Sequence, residues 1–234
     1  MSSRLTAGVG VIVFAVLAFA WTVVEVLPPA LGYEDTDNPA LMVEFIREYP
    51  QVYRIAGVLL ILAAFALTVS TLAVYDQLGP SRASSSLSLR SATVFGLFAA
   101  ALLLPLGGLR LATGSTLLLV DALNTDWSEA AYLSFQMVGT QALAAAAVIG
   151  LCSWAVGLSI NGLRTGVLPR WLCYLGAIPA LRIVVALMAP LSFDSSAVWV
   201  AYMLAIPGTT IWFLLLGFVL LRRQSGNLEL RQHS

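Results

Sequence analysis

Charged side chains inside apolar segments are the residues of this sequence that could support chemistry. Arg182 is the clearest of them, because it lies twelve residues after Arg170, which flanks the same segment. At ~1.5 Å per helical residue this places Arg182 about 18 Å into a membrane, close to its midplane. An unpaired charge there costs about 3 kcal/mol or more. We therefore expect Arg182 to meet a polar partner or a water-filled cavity, and Gln141 is the predicted hydrogen-bond partner.

Three more charged residues reach a similar level from the ends of their segments: Glu25, Arg54 and Arg110. If they converge with Arg182, one carboxylate faces three guanidinium groups, and the excess of positive charge favours a bound anion. Two glutamines on a further segment would orient the ligand or a water molecule. The predicted ligand-binding site therefore contains Glu25, Arg54, Arg110, Gln136, Gln141 and Arg182.

The same residues also fit a structural role. Glu25 and Arg54 could end their helices at the lipid headgroups, and Arg182 could pair with backbone carbonyl groups. Helix-breaking residues near these charges are predicted to interrupt three segments and to free backbone polar groups for a neighbour, water or ligand. These residues are Pro105 with Gly107 and Gly108, Gly176 with Pro179, and Pro207 with Gly208.

Six apolar segments must position these residues, which predicts an all-α, polytopic membrane protein: a six-transmembrane-helix bundle in a single domain. The chain has 234 residues, of which 59% are hydrophobic and 10% are charged, and six spans leave no room for a separate soluble domain. With about 20 residues for each crossing, the predicted spans are about 6–27, 52–75, 91–112, 131–159, 171–190 and 198–221.

The signs of the charges outside these spans predict an orientation in the plasma membrane. Nine of the twelve acidic residues fall in one set of connections, whereas eight of the twelve arginines fall in the tails and the alternate connections. Basic segments resist translocation, so both termini are predicted to be cytoplasmic. The eight arginines are Arg4, Arg82, Arg90, Arg164, Arg170, Arg222, Arg223 and Arg231.

The first connection is predicted to contain a short amphipathic helix on the external side, over about residues 39–49. Asp37 or Asn38 can cap this helix before Pro39, and its apolar face contains Leu41, Met42, Phe45, Ile46 and Tyr49. The helix either rests on the bundle or the headgroup layer, or acts as a lid over an external cavity. The polar tail, about residues 224–234, is predicted to be disordered.

Missing residue types exclude several functions. The sequence has no lysine, so a retinal Schiff base is impossible, and its only histidine is His233, which excludes bis-histidine haem and histidine-based metal sites in the membrane. No serine has a visible catalytic base, and no nucleic-acid-binding motif occurs. We therefore predict no catalytic residues, no metal, no cofactor and no nucleic-acid partner.

Two short segments resemble a known family. Residues 168–176, Leu-Pro-Arg-Trp-Leu-Cys-Tyr-Leu-Gly, and residues 53–59, Tyr-Arg-Ile-Ala-Gly-Val-Leu, resemble small uncharacterised integral membrane proteins of actinobacteria, including the DUF4386-like family. The resemblance runs loosely over spans two to six. It implies the same location and architecture, and it supplies no catalytic residues.

These observations predict a non-enzymatic plasma-membrane protein with an outward-facing polar pocket, acting as an accessory, sensory or ligand-binding component. A small transporter of an anionic or amphiphilic solute is the first alternative, and a membrane enzyme acting on lipid is the second. The expected partners are membrane lipids, a small anionic or amphiphilic ligand, and a protein partner or a second copy of the chain.

Overall fold

A computed structural model describes residues 3–33, 38–78, 87–188 and 196–232, and every element in these ranges is helical. These ranges contain ten α-helices and one π-helical segment, in chain order: α1 (Ser3–Glu25), α2 (Leu27–Ala30), α3 (Pro39–Glu48), α4 (Pro50–Leu78), α5 (Leu87–Leu123), α6 (Thr125–Ser134), the π-helical segment (Phe135–Gln141), α7 (Ala142–Thr165), α8 (Arg170–Leu175), α9 (Ala177–Met188) and α10 (Ser196–Gln232).

The long helices form a closed ring in which each packs against the next in the chain. Helix α1 packs on α4, α4 on α5, α5 on α7, α7 on α9 and α9 on α10, and α10 returns to α1. Gly8 of α1 lies beside Gly217 and Leu221 of α10, so the start of the first helix and the later part of the last helix share one end of the bundle. We call the opposite end, where α3 connects α1 to α4, the α3 end.

Large apolar side chains lie both inside this ring and on its outer face. Phe14, Leu60, Trp154 and Phe213 are buried in the core, whereas Phe65, like many large apolar residues on the outer face, is exposed. An exposed apolar surface of this kind suits lipid rather than water. Six helical stretches in the described part of the chain are long and apolar enough to cross a membrane, which indicates a multi-pass membrane protein.

The predicted interruptions of the third and sixth spans are wrong, because α5 continues through Pro105 and α10 continues through Pro207. Membrane helices tolerate proline where neighbouring helices satisfy the freed backbone groups. Gly107 instead lets two helices approach closely: a Cβ atom there would lie 2.9 Å from the carbonyl oxygen of Gly57 on α4. The fifth span is interrupted as expected, at Gly176 between α8 and α9.

Several helices are longer than the sequence predicted. Helix α5 extends to Leu123, and α6 begins at Thr125, so the connection before the fourth span is itself helical. The predicted disorder of the tail is also not what the structure shows, since α10 continues through Gln232. No proline follows Pro207, and leucine, glutamate, arginine and glutamine near the C-terminus favour a helix.

Helix α3 agrees with the predicted amphipathic helix. Asn38 accepts hydrogen bonds from the backbone N–H groups of Ala40 and Leu41, and Pro39 is the first helical residue; Asp37, the alternative cap, lies outside the described residues. Met42, Val43, Phe45 and Ile46 are buried in a small core cluster with Tyr53, Leu117 and Tyr132. Helix α3 therefore packs on the ends of α4, α5 and α6.

Candidate functional site

Two cavities lie at successive levels along α1, α4 and α5, which line both of them. The polar cavity, at the α3 end, occupies about 500 Å³ that protein atoms do not fill, part of it open to the surroundings; its lining includes Glu25, Tyr53, Arg110, Tyr132 and Gln136. The deeper apolar cavity occupies about 670 Å³ on the same measure. Successive turns of α4 line the two, with Ala56 in the polar cavity and Leu60 in the apolar one.

An ion pair between Arg110 and Glu25 forms the centre of the polar cavity. The Nη2 group of Arg110 donates a hydrogen bond to Oε2 of Glu25 at 2.9 Å, which joins α5 to α1. The other carboxylate oxygen, Oε1, accepts a hydrogen bond from the indole N–H of Trp21 at 2.9 Å. The arginine side chain is 6% exposed and the glutamate side chain 34%. The cation is therefore buried, whereas its partner reaches the open part of the cavity.

Two tyrosines complete the surroundings of Arg110. Its guanidinium carbon lies 5.1 Å from the ring centroid of Tyr53, a cation–π contact that further compensates the buried charge. The hydroxyl groups of Tyr53 and Tyr132 interact with one another. The buried Nε of Arg110 has no hydrogen-bond partner among the described residues. This N–H group therefore lacks the partner that a buried donor normally has.

The π-helical segment brings a glutamine into this cavity. Gln136, at the second position of the segment, lines the polar cavity. The hydroxyl of Thr140 donates to the carbonyl of Phe135, five residues earlier, at 3.3 Å. Single turns of π-helix are rare and occur frequently at functional sites. The amide of Gln136 adds both donor and acceptor capacity to the cavity.

Helix α3 forms part of the boundary of the polar cavity through Met42. Two polar contacts hold the C-terminal end of α3: Arg47 forms an ion pair with Asp121 of α5, and the Tyr33 hydroxyl donates a hydrogen bond to Glu48. The bond from Tyr33 holds the pKa of Glu48 below its ordinary value and raises the pKa of Tyr33 to about 12. This arrangement fits both predicted roles of α3, support on the bundle and cover over a cavity.

Arg182 lies in the apolar cavity, and its surroundings differ from those of Arg110. The residue is 8% exposed, and its buried Nε has no hydrogen-bond partner among the described residues. The two ion pairs found in the described part of the chain are Arg110–Glu25 and Arg47–Asp121, and neither involves Arg182. An unpaired charge in the membrane interior costs about 3 kcal/mol or more, so this guanidinium group calls for a counter-charge or water.

The six residues predicted as one site therefore separate into three groups. Glu25, Arg110 and Gln136 meet in the polar cavity, and Arg182 lines the apolar cavity. Arg54 and Gln141 are exposed on the outer face. The predicted hydrogen bond between Gln141 and Arg182 is not found among the described residues: Gln141 is exposed at the end of the π-helical segment, and the buried Nε of Arg182 has no partner there. The expected excess of positive charge is also absent from the polar cavity as described, where one arginine is paired with one glutamate.

Three aromatic residues of the site are not among the six that the sequence predicted. Trp21, Tyr53 and Tyr132 have apolar rings with a polar tip, which suits the membrane interface, but here the tips point inward to polar partners. A signal for Trp21 was present, since it precedes Glu25 by four residues, a spacing that puts both side chains on one helix face. The tyrosines lie on different helices, and no sequence spacing connects them.

Comparisons with protein-family models, with curated proteins and with solved structures find no match to this chain. The similarity to the DUF4386-like family therefore stays a prediction.

Proposed function

We propose that this protein is a non-enzymatic, ligand-binding component of the plasma membrane with an accessory or sensory role. In this proposal both termini are cytoplasmic and α3 is external, so that the polar cavity opens outward. The segregation of arginines and acidic residues among the connections supports this orientation. Its ligand is small, polar and carries an anionic group.

The observation that carries the proposal is a buried arginine with an unused donor in a partly open polar cavity. Arg110 uses Nη2 for Glu25 and leaves Nε without a partner among the described residues. A ligand oxyanion at Nε would gain a charge-assisted hydrogen bond without displacing Glu25. Gln136 and the hydroxyl groups of Tyr53 and Tyr132 would orient the remaining polar groups of the ligand.

Cysteine labelling tests whether the cavity opens outward. The two native cysteines, Cys152 and Cys173, are buried and would be replaced by alanine. We expect Gln136→Cys to react on intact cells with a membrane-impermeant, negatively charged methanethiosulfonate reagent. Leu62→Cys, at an exposed apolar position on α4, should stay unlabelled. Reaction of Gln136→Cys only after the cells are opened would contradict the orientation.

Ligand binding is tested separately on the purified protein. Thermal unfolding would be followed with acetate, glutamate, phosphate and sulfate as probes, since a ligand that binds only the folded state raises its stability by about 2.7 kcal/mol at 100 times Kd. We expect at least one of these anions to stabilise the wild type and the Arg54→Met variant, and not the Arg110→Met variant. Equal responses of all three proteins would exclude binding at Arg110.

A small transporter is the second candidate, and the stacking of the two cavities favours it. Adjacent turns of α5 also line the two spaces, with Arg110 in the polar cavity and Leu106 in the apolar one. A transported solute would pass from one space to the other. In vesicles of known orientation, a transporter predicts labelling of Ala63→Cys, in the apolar cavity, from both sides. A binding component predicts labelling from one side at most.

A further inference from the structure

A buried cation without an ion-pair partner among the described residues lies in a cavity that is otherwise mostly apolar. Arg182 is more than nine-tenths buried, it lines the apolar cavity, and its Nε has no hydrogen-bond partner among the described residues. The polar and apolar cavities share none of the lining residues that the structure describes. The role of Arg182 is therefore a separate question from the role of the polar cavity.

The chemistry of the apolar cavity suits a hydrocarbon chain. Protein atoms leave about 670 Å³ unfilled between its lining side chains, part of it open to the surroundings. Small alanine side chains on α1, α4 and α7 leave room in the middle, including Ala15, Ala63 and Ala147. Larger apolar groups enclose that room, including Leu60, Leu103 and Phe213.

The described polar groups of the cavity do not supply a counter-charge to Arg182. The hydroxyl groups of Thr22, Thr209 and Thr210 donate to backbone carbonyls of their own helices, at 2.9, 2.7 and 3.3 Å. Trp21, the remaining polar lining residue, donates to Glu25, whose carboxylate is already paired with Arg110. An anionic ligand at Arg182 would supply the missing charge.

We propose that the apolar cavity binds an anionic amphiphile, with its carboxylate or phosphate group at Arg182 and its alkyl chain among the alanines and the enclosing apolar side chains. The guanidinium group offers donors in a fixed planar arrangement that matches either oxyanion. In this arrangement the alkyl chain of the ligand is shielded from water, and its anionic headgroup is paired with the guanidinium group of Arg182. This proposal is independent of ligand binding at Arg110.

Competition for a fluorescent fatty acid tests the proposal. The full-length protein, purified in an uncharged maltoside detergent, would be titrated with cis-parinaric acid, and palmitate, palmitoyl lysophosphatidate, hexadecanol and inorganic phosphate would be added as competitors. We expect palmitate or lysophosphatidate to displace the probe, and hexadecanol to be about 10-fold weaker or worse because it lacks the charge. Stronger displacement by palmitate would indicate a carboxylate headgroup, and stronger displacement by lysophosphatidate a phosphate headgroup.

Variants assign the binding to Arg182. Arg182→Met should weaken probe binding about 10-fold or more, whereas Arg182→Lys, which keeps the charge, should retain most of it. Arg54→Met, the same change at an exposed arginine, should bind like the wild type. If the Arg182 variants fail to fold, Ala63→Phe provides a second test, because it fills the part of the apolar cavity proposed for the alkyl chain and leaves Arg182 in place. This variant should also prevent binding of the probe.

Three results would overturn the proposal. Equal affinity of wild type and Arg182→Met would show that Arg182 does not contact the headgroup. Equal competition by hexadecanol and palmitate would show binding of the chain alone. Displacement by inorganic phosphate as strong as by lysophosphatidate would identify a site for a free oxyanion rather than an amphiphile. None of these results depends on whether anions stabilise the protein through Arg110.

Discussion

Arg110 and Arg182 are both buried arginines in membrane-spanning helices, but they are compensated in different ways. Arg110 has an acidic partner from α1 and an aromatic ring from α4. Arg182 has neither among the described residues, and its cavity is lined mainly by apolar side chains. The first cation is balanced by the protein itself, whereas the second leaves room for a charge from outside the chain.

Because of this difference, substitutions at the two arginines should affect different properties of the protein, namely its stability and its ligand binding. Removing one partner of a buried ion pair leaves the other unpaired, which is strongly destabilising, whereas replacing an unpaired buried charge by an apolar group also removes the cost of burying that charge. Changes around Glu25 and Arg110 should therefore affect folding first. Changes at Arg182 should affect ligand binding first.

The largest expected effect comes from Glu25→Gln, which removes the counter-charge of Arg110. We expect a loss of about 2–4 kcal/mol in the free energy of unfolding, reduced from the fully buried case because the Glu25 side chain is partly exposed. Unfolding in a mixed-detergent titration measures it. Glu44→Gln, at an exposed acid on α3, is the control and should change little.

The double variant Glu25→Gln/Arg110→Met sharpens this result. Because both charges are removed together, it should recover part of the stability that Glu25→Gln alone loses. If the changes in the free energy of unfolding of the two single variants simply add, Glu25 and Arg110 are not coupled. Arg110 would then be no better compensated by the protein than Arg182.

The next effect concerns the close approach of α4 and α5 one turn from Arg110. Gly107→Ala should destabilise the protein by about 1–3 kcal/mol, because its Cβ would lie 2.9 Å from the Gly57 carbonyl oxygen and would push the helices apart. Gly108→Ala is the matched control, since a Cβ there meets nothing within 4 Å. Thermal unfolding of both variants measures the difference. Equal stabilities would show that the contact between α4 and α5 is loose.

A smaller effect on stability is expected from Arg182→Met in protein stripped of lipid. Removal of an unpaired buried charge should change the free energy of unfolding by less than about 1 kcal/mol, or raise it. The same unfolding titration as for Glu25→Gln provides a direct comparison. A loss as large as that of Glu25→Gln would mean that the protein itself compensates Arg182.

The smallest effect concerns the contact between Tyr33 and Glu48 beside α3, and it depends on pH. The lowered pKa of Glu48 stabilises the folded state above the ordinary glutamate value of 4.5, and this contribution is lost as the pH falls. The raised pKa of Tyr33 contributes below 10.0, and this contribution is lost as the pH rises towards about 12. The thermal midpoint of Tyr33→Phe should therefore be lower than that of the wild type near neutral pH, and the gap should close at both extremes. A gap independent of pH would contradict the bond.

The helical architecture could be predicted from the sequence because the lengths of the apolar segments determine which of them can span a membrane. Each of the six predicted spans overlaps helices within the described residues, and the cap at Asn38 and the break at Gly176 were predicted from local chemistry. Pro105 and Pro207 were misleading because their effect depends on neighbouring helices rather than on the residues beside them. The ends of α5 and α10 were placed too early for a similar reason, since hydropathy does not record where a helix leaves the bilayer.

The site could be predicted from the sequence only in part. Glu25, Arg110 and Arg182 were identified from their depth, because a charge inside an apolar helix is conspicuous in a sequence. Depth gives no direction around the helix axis, so Arg54 and Gln141 were assigned to a pocket from which they face away. The contact between Tyr53 and Arg110 depends on how α4 and α5 are rotated against one another, and no residue spacing encodes that angle.

The contact between the first and last long helices has a consequence for biosynthesis. Helix α10 supplies Ile206, Thr209 and Phe213 to the space around Arg182, and it seals the ring against α1 near Gly8. Because the ribosome makes the N-terminal helices first, this arginine enters the bilayer before its final wall has been synthesised. A chain truncated before α10 should therefore fold inefficiently and be degraded readily by membrane proteases.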